Sequence, residues 1–327
     1  MATYKGINGY AVQTVASDPS PGDPGQVFYN TTSKSFEYTT EVQGTWATGG
    51  NMGTARRQLA GGGTQTSAVG FGGLATPGLA TATEEYDGTS WTAGGALTTA
   101  RRQLSGCGTQ TVALAVGGNN SSTTYGYSTA VEEYDGTSWT SGGALPSARF
   151  GSYVAGTQTS ALSAGGDISP DGTVTDLTQE YDGSTWTSGG ALPSARTSGA
   201  AAGTQTSALA FGGATATALI NATEEYDGTS WTAGGNLNTA RASLAGAGLQ
   251  TSALAFGSSP TQKATEQYNG TSWTVAANLT NSINSQGGAG TQTSALSFGG
   301  DAPTGSTNAT EEFTGGPVNV NKTISFT

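Results

Sequence analysis

Six tryptophans, Trp46, Trp91, Trp139, Trp186, Trp231 and Trp273, recur 42 to 48 residues apart, and most of them close a near-copy of one phrase, EEYDGTSW. Such regular spacing leaves few options. Each unit is a supersecondary element that cannot bury its apolar face alone, so neighbouring copies must cover it. The repeat runs through nearly all of the 327 residues and predicts one repetitive body. Composition alone points elsewhere, because 53 glycines and only 10% charged residues suit a flexible low-complexity chain. The periodic aromatics and apolar runs outweigh it, and the small residues suit places where backbone approaches backbone closely.

The unit from Arg196 to Trp231 parses into strands. A Gly/Ala-rich first segment suits an innermost strand, and Gly203-Thr204 is expected to turn the chain. Ser207 to Phe211 is apolar after its first residue, as in a strand covered on both faces, and ends at Gly212-Gly213. Thr223 to Tyr226 alternates, and Asp227-Gly228 is a two-residue hairpin signal leading to a fourth strand at Thr229 to Thr232. Four strands per unit of this length is the pattern of a propeller blade, with the tryptophans packed between blades.

A Gly-Gly doublet, then Tyr, then Trp, then an Arg shortly before the next unit resembles the kelch repeat. The doublets are Gly72-Gly73, Gly117-Gly118, Gly165-Gly166 and Gly212-Gly213, and the tyrosines are Tyr86, Tyr134, Tyr181, Tyr226 and Tyr268. The resemblance implies an all-β, kelch-like β-propeller of four-stranded antiparallel blades closed by the N- and C-terminal segments. Departures fall late in the chain: Gly257-Ser258 breaks a doublet, Ile283 replaces the Arg, and the last unit has Phe313 and no Trp. Counting both chain ends as blades gives seven, the preferred number. If the opening hairpin lies outside the ring, Trp46's strand completes the C-terminal sheet and there are six.

Strand alternation places the near-invariant GTQTS and DGTS turns on one face and the loops between second and third strands on the other. These latter loops differ in every copy, including NNSSTTYGYSTA after Gly118 and DISPDGTVTDLT after Gly166. Variable loops on a rigid frame are where recognition sits. The expected binding residues are Asn119, Asn120, Tyr125 and Tyr127, with Asp167, Asp171 and Asp176 as a polar rim. Tolerated variation of exposed loops is the alternative.

The net charge of −11 argues against nucleic acid and anionic membrane surfaces as partners. With no histidine, there is no imidazole base, no Ser-His-Asp triad and no His-ligated metal, so no enzyme, metal or cofactor is expected. The run from Asp167 begins like a calcium loop, but Thr178 stands where a bidentate Glu is needed. Arg56, Arg101, Arg149, Arg196 and Arg241 recur once per unit, and structural pairing with Glu85, Glu133, Glu180 and Glu225 is expected of them. The Gly-rich runs lack the Gly-Lys-Ser/Thr ending of a phosphate loop. Cys107, the single cysteine, falls in a slot held elsewhere by Gly or Ala, which predicts an inert, buried thiol. No segment has the apolar length of a spanning helix, and the opening residues lack the apolar core of a secretory signal.

Residues 1–25 differ in character, with Pro19, Pro21 and Pro24 clustered, and are expected to be an attachment segment ahead of a propeller at 26–327. The stretch from Lys5 to Tyr38, with its hairpin GQVFYNTTSKSFEY, resembles the opening of virion structural proteins of tailed bacteriophages, particularly marine ones. That resemblance implies a non-enzymatic tail-fibre, tail-tip or capsid-surface component, assembled in the host cytoplasm and located on the virion. Its partners would be other virion proteins through the N-terminal segment and host surface polysaccharide or a receptor through the loops. Alternatives are an intracellular kelch adaptor binding a peptide and a carbohydrate-active propeller enzyme.

Overall fold

A computed structural model describes residues 13–15, 27–121, 126–168, 171–258 and 263–323, and no helix occurs among them. The chain divides into two compact units, one of Trp46–Thr314 and one of Met1–Thr45 with Gly315–Thr327. The sequence boundary at 25/26 and the three clustered prolines lie outside the described residues.

In the larger unit each full repeat builds one four-stranded antiparallel sheet. The unit used as the sequence specimen forms strands Ala200–Thr204, Ser207–Phe211, Thr223–Tyr226 and Trp231–Ala233, hydrogen-bonded in that order. The second strand is buried from Ala208 onward, so both of its faces are covered, which explains why it reads as continuously apolar. The other first strands begin at Ala60, Ser105, Tyr153 and Ala245, and the corresponding fourth strands begin at Trp91, Trp139, Trp186 and Trp273. We number these five sheets 1 to 5 in chain order, the specimen being sheet 4. Sheet 6 is composite: Gly287–Gly290, Ser294–Phe298 and the start of Thr310–Thr323 are completed by the end of Ser35–Thr48, where the Gly49 amide donates to the Thr310 carbonyl at 2.9 Å. Trp46's strand therefore pairs as in the six-unit alternative. It does not belong to a sheet of its own.

The first strands pack against one another in sequence, Ala60–Thr64 against Ser105–Gly108 and so on, and Gly287–Gly290 returns to Ala60–Thr64. The arrangement is propeller-like. Just before each first strand lies a residue with left-handed φ: Gln58, Gln103, Gly151, Ser198, Ser243 and Ser285, at 52 to 63°. Their amides donate round a circuit, Gln103 to Gln58, Gly151 to Gln103, Ser198 to Gly151, Ser243 to Ser198, Ser285 to Ser243 and Gln58 back to Ser285, at 2.7–3.0 Å. Left-handed φ is unfavourable for the five that are not glycine, so the circuit must supply what holds them there.

Turn geometry departs from the sequence expectation twice. The first turn is formed by Gln205 and Thr206, with Thr204 paired to Ser207, two residues beyond the expected Gly203-Thr204. Asp227-Gly228 does not make a two-residue hairpin either, since Tyr226 pairs with Trp231 and four residues intervene. The Asp227 carboxylate accepts the amides of Thr229 and Ser230, at 2.8 Å each. That side-chain turn competes with the primed hairpin and wins because it satisfies two otherwise orphaned donors.

Sheets are tied to one another by three repeated side-chain contacts and one repeated backbone bond. Each indole N–H reaches the preceding sheet: Trp139 donates to Thr83 Oγ1 at 2.9 Å, Trp231 to Thr178, Trp273 to Thr223, Trp91 to Thr310 and Trp46 to Thr265. Sheet 2 has Val131 at the threonine position, and there the Trp186 indole donates instead to the Gly143 carbonyl at 2.8 Å. Each tyrosine hydroxyl donates to the second Glu of the preceding sheet, as from Tyr134 to Glu85 and from Tyr226 to Glu180 at 2.6 Å. The glutamine of every TQT turn donates to two backbone carbonyls of the preceding sheet, as Gln110 does to Ala68 and Tyr86. Gln65 of sheet 1 makes the same two bonds to Ala295 and Phe313 of sheet 6. Finally, the second residue of each doublet donates to the next unit's Arg carbonyl, as Gly73 does to Arg101, and Gly300 of sheet 6 does so to Arg56 at 2.7 Å.

The smaller unit contains Gln13–Val15 parallel to Val27–Asn30, which pairs antiparallel with the beginning of Ser35–Thr48. The intervening turn is organised by Asn30, whose Oδ1 accepts the amides of Thr32 and Ser33. Phe28 is fully buried, and the Tyr29 and Phe36 rings meet at 5.0 Å.

Candidate functional site: the variable loop face

The two faces of the larger unit differ in what their polar groups are already doing. On the face of the short turns, the TQT glutamines are consumed as ties and the turn aspartates Asp87, Asp135, Asp182 and Asp227 each accept two backbone amides of their own turn. These amides hold all four carboxyls below the usual carboxylate range. These glutamines and carboxylates are engaged within the fold, while Val112 and Leu249 beside two of the glutamine turns stay exposed.

The opposite face gathers several of the residues singled out from the sequence. Tyr127 stacks on Phe150 at 5.2 Å with 27° between rings, and its hydroxyl donates to Asp167 Oδ1 at 3.1 Å. The tyrosine comes from the loop of sheet 2, and Phe150 and Asp167 from sheet 3, so the contact bridges two units. Asn119 is buried, and its Oδ1 accepts the amides of Ser121 and Gly126, which shapes the loop that carries Tyr127. Asn120 is exposed and its amide donates to the Gly126 carbonyl. Asp171 closes a local turn by accepting the Thr173 amide and hydroxyl, and Asp176 is half-buried with its carbonyl taken by the Leu192 amide. Tyr125 lies outside the described residues. Among the described residues no three acidic or cysteine side chains converge as a metal site.

The recurrent arginines are fully buried, and their pairing corrects the sequence expectation. In three sheets the partner is the first acid of the third strand, not the second: Arg56 meets Glu84 at 2.9 Å, Arg101 meets Glu132 at 2.8 Å and Arg241 meets Glu266 at 3.0 Å, whereas Arg196 and Glu224 form no such pair. Strand alternation explains this, because adjacent residues point to opposite faces of the sheet. One acid meets the arginine of its own unit and the other meets the tyrosine of the next. Sheet 3 has Gln179 in that position, 3.3 Å from Arg149, and burial without a carboxylate pushes the Arg149 guanidinium down to about 10. In sheet 4 the Arg196 guanidinium lies 5.2 Å from the Tyr153 ring centroid, and burial raises Glu224 above its usual range despite the nearby Arg196 charge. At Ile283 no cation is present, and Glu311 Oε1, the oxygen that meets the Arg in other sheets, accepts the backbone and side-chain amides of Asn281 instead. Burial also pushes the Cys107 thiol up to about 12, as expected of an inert core residue.

At the centre of the loop face, the circuit of left-handed residues borders a depression of about 120 Å³, lined by Gln58, Gln103, Ser198, Ser243, Ser285 and Gln286 among others. A second depression of about 330 Å³ lies between the loops of sheets 1 and 6, beside an Arg57–Asp301 pair at 2.9 Å. No family model and no curated protein matches the chain. Function must therefore be argued from its own geometry.

Sequence reasoning missed Phe150, Gln58 and Gln286. A signal existed for two of them: Phe150 occupies the position of Arg57 and Arg102, and Gln286 that of Leu59, Leu104 and Leu244, whereas Gln58 is matched by Gln103. A residue that breaks a repeat is informative only once the position it breaks is known to face something.

Proposed function

We propose that this chain closes as a six-bladed, kelch-like β-propeller on a tailed-bacteriophage particle, as a non-enzymatic tail-fibre, tail-tip or capsid-surface component. Six-fold closure is supported by the circuit of six backbone hydrogen bonds and by the sheet 6 to sheet 1 contacts of Gln65 and Gly300, which repeat those between consecutive sheets. The observation that carries the recognition role is the asymmetry of the faces. The glutamines of the uniform turns are spent on inter-sheet ties and their aspartates on their own backbone amides, whereas the variable face carries the Tyr127–Phe150–Asp167 cluster in which a stacked aromatic pair stands beside a carboxylate. Such a pairing of apolar ring and polar acceptor suits a glycan or a protein loop. The net charge of −11 disfavours nucleic acid.

Placement on the particle rests on the resemblance of the opening hairpin to those of phage virion proteins, and residues 1–25, which belong to the smaller compact unit, are the segment assigned to particle attachment. Immunogold labelling of purified particles tests it directly. Label at one defined position is expected, and its restriction to the soluble fraction of a lysate overturns the assignment. Recognition is tested by host adsorption of particles carrying Tyr127→Ala with Phe150→Ala, against a Thr229→Ala control in a uniform turn. Loss in the first and not in the second is expected.

A further inference from the structure

The axial depression combines three features that the packing of the sheets does not require. Its lining carries serine hydroxyls, amides and backbone groups and no ionised side chain, although the chain as a whole is strongly acidic. Gln286 stands where three other units place leucine, is 6% exposed, and donates Nε2 to the Phe256 carbonyl at 2.9 Å, which fixes Oε1 as its acceptor. That oxygen has no partner, and neither has Oε1 of Gln58, whose amide donates to the Ser285 carbonyl immediately before Gln286. Buried acceptors left unmet are unfavourable, so this edge of the depression calls for a donor or a cation. Five of the six circuit carbonyls also accept a single bond, from their neighbour, and keep a second lone pair, whereas that of Gly151 accepts the Thr197 hydroxyl as well.

We propose that the axial depression binds a monovalent cation through neutral oxygens, either a free potassium-sized ion or a primary ammonium group. Size excludes larger ligands, since about 120 Å³ is well below the roughly 300–1,000 Å³ of clefts that hold drug-sized molecules. Divalent calcium and magnesium favour carboxylate ligands, and the lining offers none. An anion finds no cationic partner there and meets the field of the surrounding acids. Rings of neutral carbonyl oxygens replacing a hydration shell are an established way of holding monovalent cations. The site needs only the hydrogen-bonded circuit and the Gln58 and Gln286 side chains beside it, so its failure and that of the particle assignment are separate results.

The test is isothermal calorimetry and thermal melting of the full chain in potassium chloride and in methylammonium chloride, each against choline chloride at equal ionic strength. A saturable heat and a rise in melting temperature with either small cation, absent with choline, are expected. Potassium acting alone identifies a free ion, methylammonium acting alone identifies a partner's amine, and both acting together identify the shared chemistry. Gln58→Ala and Ser198→Ala, which leave the Gln286 bond to Phe256 intact, should each weaken the apparent affinity at least fivefold, and Gln286→Leu at least tenfold. Equal melting in all three salts, unchanged affinity in the two rim variants, or stabilisation by xylitol without any effect of the cations overturns the proposal.

Discussion

At the scale of single residues, the repeats form a natural mutation series in which one group changes while its surroundings stay fixed. Replacing threonine by Val131 removes a hydroxyl, and the Trp186 indole moves to the Gly143 carbonyl, so the donor is never left unmet. Replacing arginine by Ile283 removes a cation, and the freed Glu311 Oε1 takes the backbone and side-chain amides of Asn281. At Gln179 the compensation is only neutral: the fully buried Arg149 donates Nη2 to the Ser147 hydroxyl at 2.8 Å and to Gln179 Oε1 at 3.3 Å, and no salt bridge to it occurs among the described residues. A buried cation held only by neutral partners is unfavourable. Gln179→Glu should therefore stabilise the protein by about 1–3 kcal/mol, the usual worth of a charge-assisted bond at a prepared site. Urea unfolding is expected to show a higher midpoint at an unchanged slope, and a lower midpoint would mean that the first acid of the EE pair is not the arginine's counterion.

At the scale of the strand, the EEY phrase couples neighbouring sheets through a tyrosine hydroxyl and a carboxylate. Burial first, and the Glu hydrogen bond second, push Tyr86, Tyr134, Tyr181, Tyr226 and Tyr268 up to about 12 from the 10.0 of a free phenol. The folded state thus holds these protons more tightly than the unfolded state. Its stability from this source is complete below pH 10 and is lost as pH rises toward 12. Phenolate absorbance of the five should appear together with loss of the β-sheet circular dichroism, and titration well ahead of unfolding would contradict the tie. One junction lacks the tie altogether: Phe313 has no hydroxyl, and in the preceding sheet Gln267 stands where the carboxylate would be. Phe313→Tyr combined with Gln267→Glu should restore it. A double-mutant cycle is expected to give about 0.5–3 kcal/mol of favourable coupling, with Phe313→Tyr alone neutral or destabilising.

For the larger unit as a whole, the question is whether its ends meet as its middle does. Trp46, which completes sheet 6 from the other end of the chain, packs at 5.1 Å from both Phe256 and Phe313, as Trp139 packs against Phe71 and Tyr134 at 4.7 and 4.9 Å. In a closed ring the two sites are equivalent, so Trp46→Ala and Trp139→Ala should each cost about 3–5 kcal/mol and leave a single cooperative unfolding transition. In an open array, Trp46 would sit at a fraying end. Its replacement would then be cheap and would split off a separate early transition, as in linear repeat proteins.

The period of the tryptophans and the continuously apolar second strands were enough to read an all-β body of four-stranded units, because those patterns depend only on local periodicity and on the need for copies to cover one another. The buried slot of Cys107 was legible for the same reason, as its neighbours in other copies are all small. What the tertiary structure decided were relations between units: which acid of each EE pair meets the arginine, which sheet Trp46 completes, and that Phe150 stacks on Tyr127. The TQT glutamine looked like ordinary turn composition, although its bonds reach carbonyls 24 and 42 residues back in the case of Gln110. Repetition reveals that a position matters, but every copy carries the same letter, and only the register of one sheet against the next says what that letter touches.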